Sequence, residues 1–462
     1  MNSKIPIESQ LPIYTAAPAV ESAIQLHASR RVYIETYGCQ MNVSDSELLA
    51  GILVQNGYET ADGLEDADVV LLNTCAIREN AETKVLNRLK QLNHRKRLQP
   101  NLILGVCGCM AQHTRSKMLD AAPYLDLVLG PDAYRSLPAA LRSVAAGDAF
   151  VNLKLDQDED YADIAPIRKD GIRAWLTVQR GCDKMCTFCI VPFVRGRERS
   201  VPAKLLVSEV KRLVNEGFKE VVLLGQTVNS YHDGAHDFGD LLFAINDIEG
   251  IERIRFTSPH PSDATDGMIE AIAGGDKVCK QIHLPLQSGS TKTLKAMRRT
   301  YTAETYRELV ANMRRRIPNL AISTDIIVGF CGETEDDFME TYHLMDEIRF
   351  DSAFMFKYSP REGTLAYKSL NDDVTSTEKG RRLREIISLQ EKISLEINQE
   401  LVGCNTNVLV EGQSRRNADE YHGRTNSFKT IVFPKENSKI GDVVQVNINS
   451  ATAHTLRGEI VA

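Results

Sequence analysis

The sequence predicts a three-part α/β protein: an N-terminal doubly wound parallel sheet, a central partial (β/α) barrel and a small C-terminal antiparallel β-barrel. Three observations carry this reading. Over residues 30–147, apolar strand-like runs alternate with helix-like ones, the pattern of a parallel sheet. Over 168–398 the alternation resumes with six further strand candidates. Over 400–462 it gives way to short strands separated by Gly and Asn turns. Residues 1–29 read as a disordered tail, and 148–167, with the acidic run 156–160, as a linker.

In the first part, residues 32–37 are predicted as a strand closed by Gly38-Cys39, and Ser44 to Glu47 open a helix with capping-type residues. A second strand, 68–73, leads through Thr74-Cys75 to a helix over 78–92, and a third, 102–106, ends in Cys107-Gly108-Cys109. Cys39, Cys75 and Cys109 each follow a strand and are spaced by 36 and 34 residues, about one βαβ unit each time. The C-terminal ends of parallel strands open on one edge, where ligands bind. Helix N-termini at that edge favour anionic sulfur. The three thiols are therefore expected to converge, with three unrelated loop cysteines as the alternative. Cys107 competes with Cys109; it shares a strand face but sits one step deeper, so Cys109, in the turn, is preferred.

In the central part the strand candidates are 174–178, 220–224, 253–257, 281–285, 322–328 and 352–358. Gly181 and the run Cys182-x3-Cys186-x2-Cys189 follow the first. Soft thiolates at such spacing bind iron–sulfur clusters or zinc. Structural zinc takes four closed ligands, whereas three thiolates on a four-iron cubane leave one iron open to chelate a cofactor. The residue types alone leave open a zinc half-site completed by Cys279, Cys331 or Cys404, a ferredoxin-like triplet with a remote fourth ligand, and buried thiols. Barrel chemistry belongs at strand C-termini, so the segments 225–229, 258–260, 287–289 and 329–330 are expected to wall the cofactor.

In the last part, strands are predicted at 408–410, 430–433, 443–448 and 456–460. Arg415, Arg416, Arg424, Lys429, Lys435 and Lys439 are interleaved with Tyr421 and Phe428. Basic residues among aromatics suit RNA; a solvated surface is the alternative.

Composition bounds the class. The chain has 462 residues, 43% hydrophobic and 25% charged, an ordinary globular balance with room for about three domains. No apolar run approaches the roughly 18 residues of a membrane helix. The N-terminus lacks a basic start followed by an apolar core. Ten cysteines without such a signal fit a reducing compartment. A cytoplasmic monomer without membrane contact is expected. A net charge of −7 argues against a general nucleic-acid binder, and the basic clusters at 95–97, 195–199, 298–299, 314–316 and 381–382 each read, taken alone, as a solvated face.

The Cys182-x3-Cys186-x2-Cys189 spacing resembles the signature of the radical S-adenosylmethionine (SAM) superfamily. Together with segments 35–47, 73–75, 108–112, 179–199, 283–290, 295–299 and 423–426, it makes nearly everything after residue 30 resemble the methylthiotransferases. The resemblance implies an auxiliary-cluster domain over 30–147, a radical SAM core over 168–398 and an RNA-binding TRAM module over 400–462. It implies two 4Fe-4S clusters, one on Cys39, Cys75 and Cys109 and one on Cys182, Cys186 and Cys189, with SAM as cofactor. Phe188, Gln226, Asn229, Gln287 and Ser288 are the expected SAM contacts; Arg415, Arg424 and Lys429 are the expected RNA contacts.

Segments 37–44 and 224–231 resemble the branch that adds a methylthio group to C2 of N6-isopentenyl(dimethylallyl)adenosine at tRNA position 37. The other branches act on threonylcarbamoyl-adenosine of tRNA or on a ribosomal-protein aspartate. A reading of a different class is a non-catalytic iron–sulfur protein that binds RNA or senses redox state. The implied partners are tRNA bearing isopentenyl-adenosine and an electron donor such as flavodoxin or ferredoxin. Two departures from the family pattern, Cys331 in place of Pro and Thr227 in place of Asn, are expected to touch no ligand position.

Overall fold

The computed structural model describes residues 30–76, 79–114, 116–168 and 171–461. The tail at 1–29 and the helix start at 78 lie outside the described residues. The chain forms two compact units, divided between Arg168 and Lys169.

The first unit is built on strands β1 (Arg31–Tyr37), β2 (Glu59–Thr60), β3 (Val69–Thr74), β4 (Ile103–Gly108), β5 (Leu127–Leu129) and β6 (Phe150–Asn152). They pair in parallel in the order β2-β1-β3-β4-β5-β6. Helices α1 (Gln40–Gln55), α2 (Glu79–Leu98), α3 (Cys109–Thr114), α4 (Ser116–Ala121) and α5 (Leu137–Ala145) connect them. Successive residues of a strand point to opposite faces. Val69 and Leu71 join Leu49, Leu53 and Tyr134 in one apolar layer, while Val70 and Leu72 join Leu89, Leu104 and Val106 in another. The sheet is thus covered on both sides, which is why β3 reads as a continuous apolar run. Strands β2, β5 and β6 are two or three residues long, too short for alternation to reveal them.

Residues 148–167 are not a free linker. They supply β6, and Tyr161 is buried, its ring 5.8 Å from that of Tyr134 and its hydroxyl donating to Pro131 O at 2.9 Å. Glu159 and Asp163 both pair with Arg135. Burial of Tyr161 and Ile164 draws the acidic stretch onto the sheet unit.

The second unit begins with β7 (Arg173–Thr177) and the short antiparallel pair β8 (Gln179–Arg180) and β9 (Arg199–Ser200). The barrel continues with β10 (Glu220–Leu224), β11 (Arg253–Phe256), β12 (Gln281–His283), β13 (Ala321–Val328) and β14 (Ser352–Lys357). Two parallel triplets form, β11-β10-β7 and β12-β13-β14. They are stitched where Ile254 N donates to Lys277 O and Ile254 O accepts from Cys279 N. The six parallel strands therefore follow one another in chain order as a partial barrel.

Helix α6 (Val191–Arg195) lies beyond the Cys182–Cys189 run. The crossovers are α7 (Ala203–Asn215), α8 (Phe238–Asn246), α9 (Asp266–Gly274), α10 (Thr291–Ala296), α11 (Ala303–Arg316) and α12 (Glu335–Ile348). Asp237, Thr265, Thr302 and Thr334 cap α8, α9, α11 and α12 by accepting a backbone N–H in the first turn.

After α13 (Leu365–Ser369), helix α14 (Ser376–Gln399) leads to a closed barrel of β15 (Asn405–Gln413), β16 (Glu420–Thr425), β17 (Thr430–Pro434), β18 (Val443–Ala451) and β19 (Leu456–Ile460), ordered β15-β16-β17-β19-β18. Two expectations change here. A fifth strand, β16, exists; its polar sequence hid it. The barrel is also not wholly antiparallel, since β17 and β19 pair in parallel at Ile431↔Leu456 and Val432↔Arg457. Val408, Val410, Ile431, Phe433, Val446, Ile448 and Leu456 fill its core. A Cβ at Gly423 would meet Leu409 O at 2.2 Å, so the β15–β16 crossing requires glycine there.

The small barrel is docked on the starts of β7, β10 and β11. Arg253 donates to the carbonyls of Arg424 and Asn407, and Arg255 to those of Thr425 and Asn426. Glu220 is fully buried between Arg173 and Arg255, and Arg173 also reaches Glu411. Burial would raise the Glu220 carboxyl, but Arg255 and Arg173 outweigh it and hold it below the usual range. These contacts lie at the strand N-termini, opposite the end where barrel chemistry occurs.

Candidate functional site

In the first unit, Tyr37, Thr74 and Gly108 stand in register across β1, β3 and β4. Cys75 and Cys109 are the next residues of their strands, and Cys39 follows Tyr37 by one glycine. The three cysteines thus leave the same row at the C-terminal edge. The close approach demands two glycines: a Cβ on Gly38 would sit 2.8 Å from the Cys75 Cβ, and one on Gly108, at φ +95°, would sit 2.6 Å from Thr74 O. Two buried amides lock the loops. Asn42 Nδ2 donates to Thr74 O at 3.2 Å, Asn42 Oδ1 faces the Cys39 N–H at 3.4 Å, and Asn73 Nδ2 donates to Ser46 Oγ at 2.9 Å. Thr74 Oγ1 donates to Cys107 O at 2.7 Å.

Cys107 lies in the apolar layer with Leu49 and Leu71, and burial pushes its thiol up to about 12. Cys109 is the first residue of α3 rather than a turn residue, and it stands at the edge.

In the second unit, Cys182, Cys186 and Cys189 lie on the segment between β8 and α6. Gly181, at φ +78°, makes this possible, because a Cβ there would fall 1.9 Å from Arg197 O. Cys182 N donates to Gly196 O, and Thr187 anchors the segment through its N–H to Met297 O and its hydroxyl to Ala296 O, both at 3.0 Å. Burial raises the Cys182 thiol and pushes that of Cys189 up to about 12.

Two side chains, partly buried Arg299 and buried Thr227, meet the sulfurs. Arg299 Nη1 donates to Cys186 Sγ at 3.3 Å while its Nε donates to Tyr301 Oη at 2.9 Å. Burial works against this guanidinium, yet Tyr301 and Cys186 hold its proton more tightly than usual. Thr227 Oγ1 lies 3.2 Å from Cys182 Sγ. Thr227, expected to touch no ligand position, therefore contacts one. Cys331 packs with Met297, Phe330, Tyr358 and Ala366 in an apolar cluster against Phe188.

The expected cofactor residues divide. Gln226 Oε1 accepts the Gly181 N–H at 2.5 Å, and Gln179 Oε1 accepts the Gln226 N–H at 2.9 Å, so Gln226 braces the cysteine segment. The Asn229 amide is engaged at both ends by the His260 backbone, at 2.9 and 2.7 Å. Ser288 is buried, with its hydroxyl 3.2 Å from Thr341 Oγ1 and accepting from Ser290 N. Asn229 and Ser288 thus tie loops together. Gln287 adopts φ +71° and bonds β13 through its backbone, with Asp325 O and the Ile327 N–H. Phe188 meets Phe330 edge-on at 6.4 Å.

Among the described residues, no three His, Cys, Asp or Glu side chains close on a single metal ion. A cubane takes each thiolate on a different iron, so its ligands ring a volume rather than meet at a point. The donor sets fit such a cluster: thiols alone at each rim, and at the second a cationic donor aimed at sulfur.

The expected RNA contacts divide as well. Arg415 is exposed beside exposed Arg416. Arg424 instead lies 4.1 Å over the Phe428 ring, donates to Phe428 O and faces Glu411, and Lys429 Nζ pairs with Asp351 at 2.8 Å. Both belong to the seam that docks the small barrel. Sequence reading also passed over Thr227, Gln179, Arg299, Tyr301, Asn42 and Asn73. Gln179, Asn42 and Asn73 lie within or beside the cysteine motifs, but Thr227, Arg299 and Tyr301 are distant from them in sequence, and nothing local marks Arg299, in its basic pair, for contact with a sulfur.

A partial barrel with a Cys-x3-Cys-x2-Cys segment after its first strand defines a radical SAM enzyme, and residues 176–345 match the Radical SAM superfamily model. Residues 31–130 match the model described as Uncharacterized protein family UPF0004, and 399–461 match the TRAM domain. The chain is 47% identical over 440 residues to the tRNA-2-methylthio-N(6)-dimethylallyladenosine synthase of Chloroherpeton thalassium, covering 94% of this chain and 98% of that one. It is 46% identical to the enzyme of the same name from Bacteroides fragilis, with 94% and 96% covered. The chain belongs to this methylthiotransferase family. Among solved structures, the radical SAM methyltransferase TsrM of Kitasatospora setae, determined with cobalamin and a [4Fe-4S] cluster, shares the fold at a TM-score of 0.52 and 12% identity over 71% of this chain and 72% of that one. Among the described residues, no helix is long and apolar enough to cross a membrane.

Proposed function

We propose that this chain adds a methylthio group to C2 of N6-isopentenyl(dimethylallyl)adenosine at tRNA position 37. The observation that carries the reading is the pair of three-cysteine rims, each on the C-terminal edge of parallel strands, in a chain 47% identical to a synthase named for that product. The domains are 30–147 for the auxiliary cluster, 168–398 for SAM chemistry and 400–462 for RNA, with 148–167 folded onto the first.

When bound, the two clusters and SAM supply the electron, the carbon radical and the sulfur that the reaction needs. The chain's own residues place and tune. Cys182, Cys186 and Cys189 hold one cluster and Cys39, Cys75 and Cys109 the other. Gly181, Gln179 and Gln226 fix the rim of Cys182, Cys186 and Cys189, and Asn42 and Asn73 that of Cys39, Cys75 and Cys109. Arg299 brings positive charge to the Cys186 sulfur through a charge-assisted hydrogen bond. Phe188 and Gln287 face SAM, while Asn229 and Ser288 hold the loops that shape its wall. Arg415 and Arg416 offer phosphate contacts. A flavodoxin or ferredoxin supplies the electron, and the enzyme acts as a cytoplasmic monomer.

Nucleoside mass spectrometry of tRNA from cells lacking the chain tests this. Loss of the methylthio mark from isopentenyl-adenosine alone is expected. Loss from threonylcarbamoyl-adenosine, or from neither nucleoside, would refute the reading. Anaerobic formation of 5′-deoxyadenosine by the purified protein excludes a non-catalytic role.

A further inference from the structure

Building on the cluster assignment above, we infer that Thr227 is a positioning residue that raises the reduction potential of the cluster on Cys182, Cys186 and Cys189 by donating its hydroxyl hydrogen to the Cys182 sulfur. The oxygen lies 3.2 Å from Sγ. A metal-bound thiolate carries no hydrogen, so in the loaded protein the hydroxyl is the only possible donor of this pair.

The contact is built in. Thr227 is buried, and its N–H is held by Gln179 Oε1 at 3.3 Å. Its carbonyl accepts from both the N–H and the hydroxyl of Ser230, at 2.9 and 2.8 Å. Gln179 also donates to Gly181 O at 2.9 Å, one residue before Cys182. One buried amide therefore sets the position of both the donor and the sulfur. The β-branched side chain adds stiffness at χ1.

A donor to a ligand sulfur stabilises the extra negative charge of the reduced cluster, and hydrogen bonds to sulfur are among the factors that set cluster potentials. Arg299 acts in the same sense on Cys186. The donor at Cys182 is a single neutral hydroxyl on a short, rigid arm.

The test is a potentiometric titration of the reconstituted holoenzyme, following by electron paramagnetic resonance the signal that changes when SAM is added. Thr227→Val keeps the shape and removes the donor; Thr227→Ser keeps the donor. The inference expects a more negative midpoint in T227V, a tenfold fall in the reduced-to-oxidised ratio being about 59 mV for one electron, and a wild-type midpoint in T227S. Equal midpoints in wild type and T227V would overturn it. Should Val not be tolerated, Thr227→Ala removes the same donor without bulk. If Val and Ala both lose the cluster while Ser keeps it, the hydroxyl holds the cluster rather than tunes it, and the inference falls. A wild-type holoenzyme with no SAM-responsive signal would instead overturn the cluster assignment itself.

Discussion

Asn42, in the first turn of α1, and Asn73, near the end of β3, bind each other reciprocally: Asn42 Nδ2 donates to Asn73 Oδ1 at 3.2 Å, and Asn73 Nδ2 donates to the Asn42 carbonyl at 2.8 Å. Both are fully buried directly under Cys39 and Cys75. Replacing Asn73 with Leu removes one of the two acceptors of Asn42 Nδ2 and the donor to the Asn42 carbonyl, and should cost about 1–3 kcal/mol. The expected outcome is a lower urea midpoint and a loss of iron from the first rim, with 5′-deoxyadenosine formation retained. Unchanged iron content would show that the knot does not position the cysteines.

The two rims should load independently. Changing Cys182, Cys186 and Cys189 together to Ala is expected to remove about half the iron, on the basis of three thiolates per four-iron cluster, and to abolish SAM cleavage. Changing Cys39, Cys75 and Cys109 should remove the other half and leave cleavage measurable. Full iron in either triple variant would refute two separate clusters.

Cys107 and Cys109 are both buried and differ by place: Cys107 lies in the apolar layer, Cys109 at the C-terminal edge of the sheet. Cys107→Ala empties a small space in the apolar layer and should cost about 1 kcal/mol of stability, with iron and methylthiolation intact. Cys109→Ala should spare stability and abolish methylthiolation. Reversed results would move the ligand to Cys107.

The basic residues of the small barrel should separate into two groups. Arg415→Ala with Arg416→Ala should weaken tRNA binding and flatten its salt dependence, as lost phosphate contacts do. Lys429→Ala should leave that slope unchanged and lower the melting temperature, since Lys429 pairs with Asp351. Glu220→Gln should be far more severe, about 3–5 kcal/mol, because Arg173 and Arg255 then lose their buried partner. Removal of residues 400–462 should destabilise the second unit for the same reason. A truncated protein with wild-type unfolding behaviour would contradict the docking seam.

His260 supplies a pH signature. Burial, with Arg299 and Lys184 nearby, holds its imidazole down to about 2. The unfolded side chain takes its proton near pH 6.5. Stability from this group is therefore complete above that pH and declines as pH falls below it, by about 1.4 kcal/mol per pH unit. Urea unfolding at pH 7 and pH 5 should show a steeper loss in the wild type than in His260→Gln. Equal slopes would mean His260 is protonated in the folded protein.

Much of the site was legible because its signals are local. A cysteine one or two residues past an apolar strand, a glycine beside it, and fixed spacings of three and two are properties of contiguous segments. Strand–helix alternation likewise revealed the two parallel sheets. Short elements escaped: β5 and β6 have too few residues to show a period, and β16, Glu-Tyr-His-Gly-Arg-Thr, buries only Gly423 and Thr425.

The sequence by itself determined the class of chemistry, since six thiols in two triplets after strands specify which soft donors are available and at which loop each sits. It also determined the layered architecture, because apolar period and glycine placement act within one element. Only the tertiary structure decided which charged and polar side chains serve those sulfurs and which serve packing. Arg299, Arg424, Lys429 and Thr227 carry the same local marks as solvated residues. Their roles follow from contact with groups far away in sequence: Arg299 stands 113 residues from Cys186, and Thr227 stands 45 from Cys182. A buried charge or hydroxyl must find a partner wherever the fold provides one, and that partner is set by how the strands and loops come together in space.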